Sequence, residues 1–293
     1  MNYTQILENF KPQNEFYIGI DSDGCVFDSM EIKHKECFIP NIIKHWNLQA
    51  ISRPARQAAE FVNLYSQWRG TNRFPALIKV LDLLRAHPDV TKYDLQLPDV
   101  TALRTFVESG VPLGVPALEE QYQQTHDPVL KQAIDWSRAV DASIEDMVKG
   151  VICFERVPHV LKRLQNQADI VVVSSTPHEA IVREWNEHRI AVYTSVIAGQ
   201  EMGNKKTQLQ ITTQNRYPTG RVLMIGDAPG DLKSAYAVGA RFYPIIPGKE
   251  TESWEYFDDE IVDLFLNRKY TAEIEKELVQ EFNDRLPDIP PWV

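Results

Sequence analysis

The sequence predicts an α/β fold, a doubly wound, Rossmann-like parallel sheet core with an inserted α-helical cap domain. Three observations predict it. Short apolar runs rich in β-branched and aromatic residues recur along the chain, each too short for a typical helix and bounded by polar residues, glycine or proline. Amphipathic segments of helical length separate the later runs, the alternation that builds βαβ units. From about residue 29 to residue 149 that rhythm gives way to mostly helical patterns.

The first run, Phe16 to Ile20 (FYIGI), reads as a buried strand feeding the acidic, glycine-containing loop DSDGCVFDS. Ile170 to Val173 with Ser174 (IVVVS), Val222 to Gly226 (VLMIG) and Phe242 to Ile246 (FYPII) repeat the pattern, and Tyr193 to Ile197 adds a further strand. Helices are expected at His159 to Asn166, Glu179 to His188, Lys206 to Gln214 and Asp231 to Val238. In the insertion they are expected at Ala55 to Trp68, Phe74 to Ala86 and Pro128 to Val140, with Gly110 to Pro116 (GVPLGVP) as an internal loop. From Glu250 two more amphipathic helices lead to a stiff tail, Pro287 to Val293. The expected domains are a core of residues 1–28 and 150–250, a helical cap of residues 29–149, and a C-terminal helical extension of the core, 251–293.

Bulk properties exclude several function classes. With 43% hydrophobic and 25% charged residues the chain has ordinary globular composition, neither fibrous nor disordered. Met1 to Phe10 lacks the basic start and apolar run of a secretory signal, and no stretch approaches the roughly 18 apolar residues of a membrane span. A cytoplasmic location without a membrane partner is therefore expected. Cys25, Cys37 and Cys153 cannot all pair and are not spaced as a metal cluster, so reduced thiols are expected. A formal charge of −10 without any concentrated Lys/Arg run argues against nucleic-acid binding. An anionic small substrate would need a metal and locally placed cations.

Chemistry-bearing residues gather at the ends of the expected strands. Asp21 and Asp23 follow the first strand, at the edge where open α/β sheets place ligands. A bare DxD also describes a solvated turn. Ser174, Ser175 and Thr176 follow IVVVS and open a helix, where hydroxyls and N–H groups either hold phosphate oxygens or simply cap the helix. Lys205 and Lys206 open another helix after Gly203, as surface lysines often do. Asp227 and Asp231, in GDAPGD after VLMIG, fit metal ligation or helix capping. Each signal is weak alone, and their order is what makes the set specific.

Together the four loops resemble the motifs of the haloacid dehalogenase-like hydrolase superfamily, in a branch similar to β-phosphoglucomutase and related phosphatases. The strand followed by DxDG, an apolar pair and FDS matches at Asp21 to Ser29, with Cys25 where threonine or valine is usual. Ser174 matches the second motif, Lys205 the third with Leu209 at its apolar position and Lys206 as the other choice, and Asp227 with Asp231 the fourth. The match covers roughly residues 14 to 28 and 150 to 248. The resemblance implies a magnesium-dependent phosphatase acting on a small phosphorylated metabolite. Asp21 is then the nucleophile that forms an aspartyl-phosphate, and Asp23 the acid and base. The Asp21 carboxylate, the Asp23 carbonyl and Asp227 hold Mg2+, Asp231 orients the set, and Ser174, Ser175 and Lys205 bind phosphate. Such cations are needed, because two like unit charges about 4 Å apart repel by roughly 4 kcal/mol at an effective dielectric of about 20. Cys25 is the weaker nucleophile, since neighbouring carboxylates would raise its thiol pKa.

In the insertion, Trp68 to Leu77 (WRGTNRFPAL) resembles the substrate loop of β-phosphoglucomutase-like caps. That implies Arg73, and less directly Arg69, as a clamp for a distal anionic group. Lys33, beside His34, stands where the mutase has a histidine. The difference weighs against a phosphosugar mutase and is similar to the Schiff-base lysine of phosphonoacetaldehyde hydrolase. A dehalogenase would need neither Asp23 nor Asp227. A non-catalytic binding protein of this fold need not keep all four motifs together.

Overall fold

The computed structural model of the chain describes residues 3–93 and 95–293. Five parallel strands, β1 Phe16–Ile20, β2 Ala168–Val173, β3 Val196–Ala198, β4 Val222–Gly226 and β5 Arg241–Pro244, form one sheet in the order β3-β2-β1-β4-β5. Every residue of β1, β2 and β4 is buried, as expected of apolar strands covered on both faces. Ile20 pairs with Val172 on one side and Ile225 on the other, so these three strands end within a residue of level. The loops that follow them emerge side by side at the carboxyl edge.

Three strands differ from expectation, β2 by starting two residues early at Ala168. β3 starts three residues late because Ala191–Tyr193 is a 3₁₀ turn, and β5 ends at Pro244 instead of Ile246. Helices Val157–Leu164, His178–Glu187, Lys205–Thr213 and Pro229–Ala237 each begin one or two residues before the expected start. An unexpected helix, Tyr3–Glu8, seats Leu7 against Ala198 and Met202. At the other edge of the sheet, Glu275 of helix Ala272–Asp284 accepts hydrogen bonds from the Phe242 N–H and from Arg241, which occupies an otherwise open strand edge.

The chain divides into two compact units, one of residues 1–28 and 151–285 and the other of residues 29–150 and 286–293. The first holds the sheet. The second is helical, and helices Ser52–Leu64, Arg73–Ala86 and Pro128–Met147 bury Trp136, Phe74, Leu81 and Val62 in its core. Two expectations are corrected here. Leu286–Val293 do not extend the core: they group with the helical unit, where Trp292 packs edge-on against Phe61 and beside His87. GVPLGVP is a loop only to Gly114, because Val115 and Pro116 open helix Val115–Thr125, where proline's missing N–H costs nothing. Among the described residues, no helix is long and apolar enough to cross a membrane.

Candidate active site

β1 delivers Asp21 directly into a tight loop. Gly24, at φ +73°, makes the turn that lets its N–H donate to the Phe27 carbonyl, a conformation that side chains resist. Two buried tryptophans fix this loop from beneath: Trp185 Nε1 donates to Ser22 Oγ at 3.0 Å and Trp254 Nε1 to the Cys25 carbonyl at 2.7 Å. Cys25 is fully buried, and burial pushes its thiol pKa far up, with Asp21 and Asp227 adding to the effect. That inert thiol packs the loop.

Asp21 is 5% exposed and Asp227 and Asp231 are 1% and 0%. Oxygens of these three carboxylates lie within 4.8 Å of one another. Lys205 Nζ bridges Asp21 Oδ2 at 2.7 Å and Asp231 Oδ1 at 2.5 Å. Asp231 Oδ2 accepts from the Ala228 N–H at 3.1 Å, so both of its oxygens are held. Its approach requires Gly226, where a Cβ would stand 2.5 Å from the Asp231 side chain. Burial drives the Asp21 carboxyl up to about 6, with Lys205 opposing the rise and Asp231 adding to it. Burial likewise raises Asp231. Burial alone would lower the Lys205 pKa, but the carboxylates of Asp21 and Asp231 outweigh it and hold the ammonium charged.

Three carboxylates against one ammonium leave, by formal count, two negative charges in a buried pocket. A divalent cation would balance them. All the acidic donors are hard oxygens without His or Cys among them, a set that suits magnesium rather than zinc.

Asp23 lies outside this set of mutually close oxygens, and its Oδ2 accepts from Thr176 Oγ1 at 2.7 Å. The two aspartates of DxD thus have separate partners. Ser174, 2% exposed, sits at the carboxyl end of β2, and its Oγ accepts from the Thr176 N–H at 3.1 Å. Ser175 is exposed. Lys206 is also exposed, so geometry selects Lys205 of the two lysines.

The cap candidates belong to the other unit. Arg73 donates to the Ser137 carbonyl and hydroxyl and to Asp141, and its guanidinium lies 5.2 Å from the centre of the Phe38 ring. Arg69 is 4% exposed and donates to the Leu64 carbonyl at 3.0 Å. Lys33 opens a π-helical turn, Lys33–Phe38.

Two residues carried no individual role in the sequence. Thr176 is one. Gln208 is the other: fully buried, its Nε2 donates to the carbonyls of Ser174, Gly199 and Gly203, each at 2.9 Å, and so gathers two of the site loops. Thr176 stands within the hydroxyl run after β2, whereas Gln208 has no sequence signal of its own.

The family model described as haloacid dehalogenase-like hydrolase matches residues 108–245, which hold Ser174, Lys205, Asp227 and Asp231 but not Asp21. No curated protein matches the sequence. Among solved structures, a haloacid dehalogenase-like hydrolase from Streptococcus pneumoniae is similar at 13% identity, over 82% of this chain and 90% of its own, with a TM-score of 0.45. A superfamily hydrolase of subfamily IA from Geobacter sulfurreducens shares 16% identity over 79% and 88% of the two chains, with a TM-score of 0.39. A predicted phosphatase from Clostridium acetobutylicum shares 14% identity over 92% and 100%, with a TM-score of 0.41. The family model thus spans three of the four loops, and residues 108–245 of the chain are similar to the haloacid dehalogenase-like hydrolases.

Proposed function

We propose that the protein is a magnesium-dependent phosphomonoester hydrolase acting on a small phosphorylated metabolite. The observation that carries this reading is the pairing of Asp21 with Lys205 inside a buried carboxylate cluster, while Asp23, two residues on, is held by Thr176. The ammonium beside Asp21 opposes the rise that burial causes, which supports its reading as an ionised nucleophile, and the hydrogen bond from Thr176 supports the reading of Asp23 as the group that transfers protons.

In this reading Asp21 Oδ attacks phosphorus in line, a phosphorus–oxygen bond to the carboxylate forms, and the bond to the leaving oxygen breaks. Asp23 gives its proton to that leaving oxygen. In the second half Asp23 takes a proton from water, whose oxygen attacks the aspartyl-phosphate and restores Asp21. Lys205 and the Ser174 hydroxyl stabilise the phosphoryl oxygens, and Asp231 keeps Lys205 in place. Magnesium, held by the Asp21 carboxylate, the Asp23 carbonyl and Asp227, would supply charge neutralisation between carboxylate and phosphate. The helical unit then selects the substrate.

The test is hydrolysis of a generic aryl phosphate with and without magnesium, together with acid-quench capture of the phosphorylated protein. Turnover that needs magnesium, and a covalent phosphate that disappears in Asp21→Asn with at least about a 10⁴-fold loss of rate, is the expected result. Magnesium-independent turnover, or phosphate still trapped on the Asp21→Asn variant, would sink it.

A further inference from the structure

We propose that Thr176 is a positioning residue for Asp23, holding its carboxylate in line for proton transfer; the proposal rests on the reading of Asp23 as acid and base. Thr176 is fixed through its backbone on both sides. Its N–H donates to Ser174 Oγ at 3.1 Å and its carbonyl accepts from the Gln200 N–H at 3.0 Å. Pro177 follows, with its ring limiting the next backbone rotation. Gln208 adds a tie from below through the Ser174 and Gly199 carbonyls. From this anchored base the Thr176 hydroxyl reaches Asp23 Oδ2 at 2.7 Å, across 153 residues of sequence.

A hydroxyl suits the task for a chemical reason. It donates to the ionised carboxylate and, after rotation about its C–O bond, accepts from the protonated acid, so the contact survives both halves of the proton cycle. An ammonium in that place, a donor only, would favour the ionised state. The β-branched threonine also has fewer χ1 choices than serine, which keeps the hydroxyl aimed. The Thr176 N–H meanwhile engages the Ser174 oxygen, and a hydroxyl that accepts there keeps its own proton for donation. One residue therefore aligns the acid and the second-motif serine together.

The experiment uses the full chain at saturating magnesium, with aryl phosphates whose leaving groups run from dinitrophenol to phenol. Proton donation matters little for the first and greatly for the last. Thr176→Val should lower kcat on phenyl phosphate about ten- to a hundred-fold, the scale of losing a hydrogen bond to a charged group, with KM nearly unchanged. On dinitrophenyl phosphate the loss should be below about threefold, and Thr176→Ser should recover most of the rate on phenyl phosphate. In an Asp23→Asn background, Thr176→Val should cost little more, because the group it aligns has gone. Equal losses on all leaving groups, or full additivity with Asp23→Asn, would overturn the proposal and make Thr176 a packing or phosphate-side residue. An Asp23→Asn variant with unaltered leaving-group dependence would fail earlier, removing the acid role and the proposal with it. Should the valine variant not fold, Thr176→Ala and Thr176→Ser carry the same comparison, with Ala expected to lose the leaving-group-selective rate and Ser to keep it.

Discussion

Lys205 and Arg73 are both cations paired with carboxylates, yet they belong to different kinds of chemistry. Lys205 is 14% exposed between side chains that are 7% and 0% exposed, whereas Arg73 is 25% exposed and its partner Asp141 is 56% exposed. Water screens the second pair, which straps the start of helix Arg73–Ala86 to helix Pro128–Met147 and leans on Phe38. Burial leaves the first far less screened. Burying three carboxylates and an ammonium is a poor way to stabilise a fold, because desolvation offsets most of the attraction. Such a cluster makes physical sense where its charge is used on a ligand. The difference separates a buried cation from one at the surface.

The sharpest way to break that comparison is Lys205→Met. Removing the ammonium leaves carboxylates buried without their counter-charge, and about 3–5 kcal/mol of stability should be lost in magnesium-free buffer. Saturating magnesium should return part of it, and turnover should remain about 10²- to 10³-fold down. Urea titrations with and without the metal measure the first, steady-state kinetics the second. A variant as stable as the parent without magnesium would mean that the cluster is solvated after all.

A smaller effect comes from the Asp21 carboxyl, which burial lifts to about 6. Below that pH the metal-free protein carries a proton on a carboxylate the metal must take, so binding weakens as pH falls and levels off above about 7. Calorimetry should find magnesium affinity about tenfold lower at pH 5 than at pH 7. A flat profile would remove Asp21 from the metal site.

The smallest effect belongs to Arg73→Ala. Loss of a screened pair should cost about 1 kcal/mol or less, and turnover of a small aryl phosphate should not change. If efficiency on a larger phosphorylated metabolite falls while the aryl phosphate is untouched, Arg73 leaves Asp141 to meet substrate, and the contrast with Lys205 narrows.

Three of the four loops were legible because β1, β2 and β4 are short apolar runs, each followed directly by a polar residue. FYIGI, IVVVS and VLMIG announce both a strand and the polar loop at its end. The helical unit was legible only as helices. Arg73 and Arg69 look alike in sequence, and what distinguishes them, a pair with Asp141 for one and burial against the Leu64 carbonyl for the other, depends on contacts made by tertiary packing. Gln208 shows the same limit inside the core unit. A glutamine in an amphipathic helix reads as a surface residue, and only the fold turns its amide toward three carbonyls. Trp292 was hidden for a related reason: its partners Phe61 and His87 lie more than two hundred residues earlier.

That last distance bears on how the chain comes off the ribosome. When residue 150 has emerged, nearly all of the helical unit has been made, but the indole that covers Phe61 and His87 has not. β1 waits in the same way, since its neighbours β2 and β4 begin at residues 168 and 222. Each unit therefore keeps an apolar face uncovered through most of synthesis, and neither closes until late segments arrive, an order that slows folding and lengthens the interval in which chaperones have something to hold.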